Sequence, residues 1–328
     1  MEKKNKITLQ EISEKTGIST STLSRALNNC PGVDYATWQA AHDAAQQYGY
    51  TPKERERRPI GILFPTVPEY FWGPALATVK STLIQKNITY RLNTYPPGFP
   101  PEDLCKLIDS MVAEGVKILL MPVRLESVAA YLDTLRDKLT VFQICEYCSI
   151  RNSFVFAADG LRDGRALAIL IREKYPDSKV LLLESQTPLA RLRLRGFREE
   201  YPADQILGEL TLPVGLLPQQ RASVYARYMA EFCGENAPDI VVCSSGILPS
   251  ICQAIIKCRW KGKTRCAGYE YPPDLERYTA DGLVLATVEQ AMQEECIAAA
   301  SAAADFFCSG IYPSEKYTYL PGKLHDLL

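Results

Sequence analysis

From residue 60 onward the chain repeats one unit, a short apolar run of strand length followed by a segment of helix length with one apolar face. A strand that is apolar along its whole length has to be covered on both faces. The intervening helices are the chain available to cover it, so the pattern dictates parallel sheets with helices on both sides. The expected strands are residues 60–64, 89–93, 116–121, 141–145, 154–157, 180–183, 206–212, 240–243, 264–268 and 283–288. Ten strands over about 270 residues fit two such sheets better than one.

The first fifty residues follow a different rule. Thr8 with Glu11 three positions on forms a capping box, which predicts a helix over 9–15, and Gly17 turns the chain out of it. Ser19 caps a second helix over 20–28, in which Leu23 and Leu27 fall four apart and can pack on Ile12 and Ile18. Pro31 and Gly32 end that helix; Asp34 caps a third over 35–48, stopped by Gly49 and the Thr51, Pro52 pair. Between this head and the body lies KERERRP, residues 53–59, a charged linker with no apolar face.

Composition narrows the class. Hydrophobic residues make up 47% of the 328 and charged residues 23%, an ordinary globular balance that excludes disordered and fibrous chains. The first thirty residues hold no signal-peptide core and no later run reaches eighteen apolar residues, so a cytoplasmic protein without membrane contact is expected. Eleven cysteines, an odd number lying mostly in apolar periodic segments, read as reduced core thiols rather than a disulfide framework. The net charge of −1 divides into +2 up to Arg58 and −3 beyond it. All of that excess sits in the linker, because residues 1–52 carry five basic and five acidic side chains. Attraction of an anionic partner would therefore have to come from local placement of charge.

Two short helices around a glycine turn look like a helix-turn-helix, although the same turn also serves as plain scaffold. The residue types favour nucleic acid. Thr20, Ser21, Thr22, Ser24 and Arg25 give the second helix short hydroxyls and one guanidinium, able to lie close to a groove, where a solvated face would carry more Glu and Lys.

The stretch ITLQEISEKTGISTSTLSRALNN, the segment ending YGYTP, and IGILFP resemble the start of a lactose-repressor-type (LacI/GalR) transcription regulator. FAADGLRDG, ARLRLRGF, GYEYPPDLERYT and LATVEQ resemble later segments of that family, so the similarity runs over nearly the whole chain. The resemblance implies a homodimeric regulator, usually a repressor, that reads a double-stranded operator. Its body would be periplasmic-binding-protein-like and would sense a small molecule such as a sugar or sugar derivative. It implies base-reading roles for Thr20, Ser21 and Arg25, and phosphate contacts at or beside Thr8, Ser19, Ser24, Asn28 and Thr37. It implies effector contacts for Arg193, whose guanidinium offers a fixed fork to vicinal hydroxyls or a carboxylate, and for Asp159, Ser245, Glu270 and Gln290. Asp159 can equally cap the helix that follows it. Among the adjacent aromatics Tyr70, Phe71 and Trp72, which cannot all face one side of a helix, Phe71 and Trp72 are the expected cleft residues.

The departures from the family pattern carry information too. The linker is short and holds no Leu, which argues against a hinge helix wedged into the minor groove, and Trp38 replaces a basic residue in the third helix. In the body, Cys145 stands where many sugar-binding members have Asp, Ser244, Ser245 and Gly246 replace a frequent Asn-Asp pair, and Glu270 replaces Asp. Such a site implies an effector other than an ordinary neutral sugar.

Other chemistries lack support in the sequence. The C-x-x-C at Cys145 and Cys148 has no second pair, and His42 and His325 are the two histidines, so neither metal nor cofactor is expected. Ser244 and Ser245 lack a nucleophile elbow, and no acid/base pair stands at a persuasive spacing for an enzyme. A solute-binding sensor whose helix-turn-helix has weak or no specific DNA binding is the competing reading. The expected organisation is α/β: a three-helix head over 1–52, the linker 53–59, and a body over 60–328 made of two doubly wound parallel-sheet lobes. Lobe 1 takes about 60–158 and 290–319, and lobe 2 about 159–289 and 320–328.

Overall fold

The structure, a computed structural model, describes residues 7–27, 33–50, 59–213, 215–234 and 236–327. Asn28 and all of the linker except Pro59 lie outside them. The head consists of α1 (Leu9–Thr16), α2 (Thr20–Leu27) and α3 (Tyr35–Gln47). Thr8 and Glu11 close the capping box, and Gly17 leaves α1 at φ 72°, a left-handed turn that a side chain would strain. Ile12, Leu23, Ala26 and Ala41 are fully buried between the three helices.

The body alternates as its pattern requires. The first lobe contains β1 (Ile60–Pro65), α4 (Glu69–Gln85), β2 (Tyr90–Tyr95), α5 (Pro101–Ala113), β3 (Ile118–Met121), α6 (Glu126–Thr134), β4 (Thr140–Cys145) and β5 (Ser153–Ala158). The second contains α7 (Gly160–Lys174), β6 (Val180–Glu184), α8 (Pro188–Glu200), β7 (Ile206–Thr211), α9 (Pro218–Cys233), β8 (Ile240–Cys243), α10 (Leu248–Lys257), β9 (Arg265–Tyr269), α11 (Leu275–Ala280) and β10 (Val284–Glu289). The chain then returns to the first lobe through α12 (Met292–Ser309) and β11 (Tyr317–Leu320), and ends in the second with β12 (Lys323–Asp326).

Two six-stranded sheets result, ordered β11-β5-β4-β3-β1-β2 and β12-β10-β9-β8-β6-β7. All pairings are parallel except β12 on β10. Strands β11 and β12 add to the ten expected from sequence. They are edge strands of four residues with much of their surface exposed, so they have no continuous apolar run to announce them.

One connection lacks a covering helix. Between β4 and β5 the chain doubles back, and the buried Gln143 ties the return down: its amide donates to Cys148 O (3.0 Å) and Ser153 Oγ (2.9 Å) and its Oε1 accepts from Cys148 N (2.9 Å). The chain passes between the lobes three times, at Asp159, at Gln290 and Ala291, and at Pro321 and Gly322. Strand carboxyl ends and crossovers meet there, the place where doubly wound sheets present side chains to ligands.

Candidate functional site

In the head, the hydroxyls singled out from sequence serve first as caps. Thr8 donates through N (2.7 Å) and Oγ1 (2.9 Å) to Glu11 Oε2. Ser19 Oγ accepts from Thr22 N (3.1 Å) and lies 2.9 Å from Ser21 Oγ. Thr37 donates through N (2.9 Å) and Oγ1 (2.7 Å) to Asp34. Thr20 and Ser21 are exposed at the start of α2, while Ser24 and Arg25 are half-buried. Arg25 lines a recess together with Asp305, Ser309 and Tyr312 of the body. The helix start thus offers hydroxyls and amide donors of the kind that suit phosphate oxygens.

Between the lobes, everything converges on Arg193. Helix α8 delivers it because α8 crosses α7 with almost no separation: a Cβ at Gly164 would fall on the carbonyl of Arg193, and one at Gly196 on the carbonyl of Leu161. Glycine at both positions is therefore a packing requirement. Arg193 Nη2 donates to Glu270 Oε1 (3.3 Å) and Gln290 Oε1 (3.0 Å), Nη1 to Ser244 O (3.4 Å), and the guanidinium lies 4.2 Å from the centre of the Tyr269 ring. Gln290, at a crossover, donates onward to Cys145 O (3.3 Å) and Glu295 Oε2 (2.7 Å). Ser245 Oγ pairs with Ser185 Oγ at 2.6 Å, and Asp159 caps α7 by accepting from Arg162 N (3.1 Å).

The aromatics divide differently from expectation. Trp72 is buried, packed edge-on against Phe64 (5.8 Å between ring centres), and Phe71 packs against Trp72 (4.8 Å) at the margin of the same core. The residue that reaches the other lobe is Tyr70, whose hydroxyl donates to Gly246 O at 3.0 Å. A ring with a polar tip suits a cleft. Gly246 has no room for a side chain, since a Cβ would lie 2.6 Å from Tyr70 Oη and 2.8 Å from Glu270 Cγ. A second contact spans the lobes, Arg191 to Glu126 at 3.6 Å, but both side chains are well exposed and it adds little.

Two residues at the site carry backbone strain. Cys145, the last residue of β4, and Glu270, immediately after β9, have φ 64° and 69°, in the left-handed region that residues other than glycine rarely adopt. They stand on opposite lobes, and each contacts Gln290 or Arg193.

Burial raises the Glu270 carboxyl to about 7 in spite of Arg193 beside it, and raises Glu295 to about 8 in spite of Gln290 and Cys145. Burial also works against the Arg193 charge, but Glu270, then Tyr269, Asp163 and Glu146, outweigh it and hold the guanidinium firmly protonated. Asp163, buried in the first turn of α7, is likewise pushed above the ordinary carboxylate range by desolvation. Glu295, Asp163, Glu146 and Tyr70 are site residues the sequence reading did not single out. Glu295 stands in the run QEE at a helix start, which reads as a solvated first turn until α12 is seen to bury it.

Residues 8–53 match the model of the family described as bacterial regulatory proteins, lacI family. The chain carries a lacI-family head. The transcriptional regulator MalR of Streptomyces coelicolor is 33% identical over 113 residues, which is 33% of this chain and 32% of MalR. The chain thus spans about a third of the length of the first curated relatives it matches. The regulator DegA of Bacillus subtilis is 19% identical over 86% of this chain and 83% of its own length. Among solved structures, a LacI-family transcriptional regulator from Silicibacter pomeroyi superposes with a TM-score of 0.64 at 20% identity over 98% of both chains. The Caulobacter myo-inositol binding protein, bound to myo-inositol, gives 0.70 at 16% identity over 84% of this chain and 95% of its own. The fold is therefore a lacI-family head joined to two periplasmic-binding-protein-like lobes.

Proposed function

We propose that the chain is a DNA-binding transcriptional regulator, acting in the cytoplasm as a homodimer, in which a small molecule between the lobes controls how the heads sit on an operator. One observation carries this reading: a lacI-family head is joined to a two-lobed body whose three crossovers meet at the buried Arg193 cluster. The division into 1–52, 53–59 and 60–328, with lobes of 60–158 plus 290–319 and 159–289 plus 320–328, belongs to this proposal.

In the head, Thr20, Ser21 and Arg25 read bases, while Thr8, Ser19, Ser24, Asn28 and Thr37 meet or flank phosphates. In the body, Asp159, Arg193, Ser245, Glu270 and Gln290 face the effector, with Phe71 and Trp72 shaping its wall from behind Tyr70. Because similar two-lobed structures hold polyols such as myo-inositol, a polyhydroxylated effector from carbohydrate metabolism fits the cleft. A ligand shifts such a device only through its differential affinity for the closed and open arrangements, so residues of both lobes matter.

Mobility-shift titration of the full chain against DNA upstream of its own gene, at two salt concentrations, tests the reading. Binding at least about a thousandfold tighter than to random DNA is expected. Equal binding to both would turn the protein into a solute sensor with an idle head. Replacing Arg25 with Ala is expected to cost about 1–3 kcal/mol and to relax specificity at one base position.

A further inference from the structure

The interlobe site gathers four acidic side chains around one buried guanidinium. Arg193 interacts electrostatically with Glu270, Asp163, Glu146 and Glu295, drawn from β9, α7, the loop after β4, and α12. The cations around its margin are more exposed or act elsewhere: Arg124 is half-exposed and stands 4.0 Å from Glu146 Oε1, Arg221 acts on Tyr70 and Arg162 on Asp163. Burial lifts Glu270 and Glu295 to about 7 and about 8, with a smaller push from the neighbouring acids, so a cation arriving beside them would favour their ionised forms.

A second, independent observation points to a missing partner. Four side chains at least nine-tenths buried bring a polar atom without a hydrogen-bond partner to this place: Glu295 Oε1, Asp163 Oδ2, Arg193 Nε and the Tyr269 hydroxyl. Glu146 Oε2 on the facing lobe is also unpartnered. Buried polar atoms are almost always satisfied, so a group of them around one cation marks the seat of a ligand with several donors.

The charge then selects among ligands. An anionic ligand, such as a sugar phosphate or sugar acid, would compete with Glu270 for a guanidinium that is already engaged and would bring more acceptors to oxygens that already lack donors. A neutral polyol would donate hydrogen bonds but supply no positive charge to let the buried acids ionise. Resting on the reading of this cleft as an effector site, we infer that its ligand is a polyhydroxylated amine, whose ammonium sits among Glu146, Glu270 and Glu295 while its hydroxyls meet Ser245, Gln290 and Tyr70. The ammonium supplies the positive charge and the donors that those acids lack, and Arg193 acts as the fixed positive neighbour that keeps the empty cluster folded. The unusual residues fit this division: Cys145 withholds the carboxylate usual at its position, and Glu270 extends one methylene toward the centre of the site.

The test uses the purified full chain at pH 7 and calorimetric titration with glucosamine, galactosamine and mannosamine. Each is set beside its parent hexose, its N-acetyl derivative, which keeps the nitrogen without the charge, and its 6-phosphate. At least one free amine is expected to bind ten times or more tighter than its parent hexose, with no gain for the N-acetyl or phosphate forms. In the Glu146→Gln variant, whose side chain lies at the rim of the cluster, the preference for amine over hexose is expected to shrink at least fivefold. Equal or tighter binding of the hexose or the phosphate overturns the inference, as does a Glu146→Gln variant with an unchanged preference. Failure of every amine to bind overturns it too. The mobility shift on the same preparation reports separately on the regulator reading.

Discussion

The two lobes follow one plan and end it with different chemistry. Their sheets match strand for strand, β11-β5-β4-β3-β1-β2 against β12-β10-β9-β8-β6-β7, so β4 corresponds to β9 and α7, after β5, corresponds to α12, after β10. Cys145 and Glu270 are counterparts in this scheme, both strained into the left-handed region at a strand's end. Asp163 and Glu295 are counterparts as well, each a buried acid in the first turn of a crossover helix. There the similarity stops. At the paired strand ends lobe 1 offers a thiol and lobe 2 a carboxylate; lobe 1 adds the reaching Tyr70, and lobe 2 the guanidinium that most of the acids of both lobes depend on. Backbone topology fixes where side chains are presented; their chemistry varies independently, so likeness of fold alone does not identify a ligand.

If lobe 2 carries the electrostatic load, its central cation should be the costliest residue to lose. Arg193→Met leaves buried acids without their counter-charge, and a loss of about 3–5 kcal/mol in urea unfolding is expected. Adding Glu270→Gln to that variant should recover part of it. A single change that costs no more than an exposed Arg would break the comparison. Next in size is the helix crossing: Gly164→Ala drives a methyl into the Arg193 carbonyl, and about 2–3 kcal/mol should be lost in the same assay. The corresponding change at Gly73, which is exposed on α4 and has ordinary clearance for a Cβ, should cost nothing.

The acids set a pH dependence of defined sign. Glu270 and Glu295 are raised from 4.5 to about 7 and about 8, so in that interval the folded protein holds protons that the unfolded chain has released. Stability therefore falls as pH rises from about 4.5 through about 8, and thermal melting should be higher at pH 6 than at pH 8.5. Glu295→Gln should flatten that profile. The smallest effect belongs to lobe 1: Tyr70→Phe removes one interlobe hydrogen bond, and about 1 kcal/mol of bias toward the closed arrangement should go with it. Small-angle scattering, which reads the separation of the lobes, should detect the shift.

Much of this architecture is written in local chemistry. Thr8, Gly17, Ser19 and Asp34 specify their helix ends by hydrogen bonds and backbone geometry within a few residues, and they occupy those ends in the structure. Strands such as Ile240–Cys243 are apolar because helices cover both faces, so they are legible too. Strands β11 and β12 are not, because a short edge strand needs no apolar run and takes its register from a neighbour distant in sequence. Arg193 and Gln290, proposed from the family resemblance, are brought together in the structure, whereas residues whose role burial alone decides leave no signal in the sequence. Glu295 and Asp163 read as ordinary helix-start acids, and the choice among Tyr70, Phe71 and Trp72 depends on the rotation of α4, which no spacing rule fixes.

The central claim, that this head reads an operator, is tested most directly by competition mobility shift with the full chain on DNA upstream of its own gene. Unlabelled random duplex is added as competitor at roughly physiological salt. A complex that survives about a thousandfold mass excess of random DNA is the predicted result. Displacement by an equal mass of random DNA would contradict it.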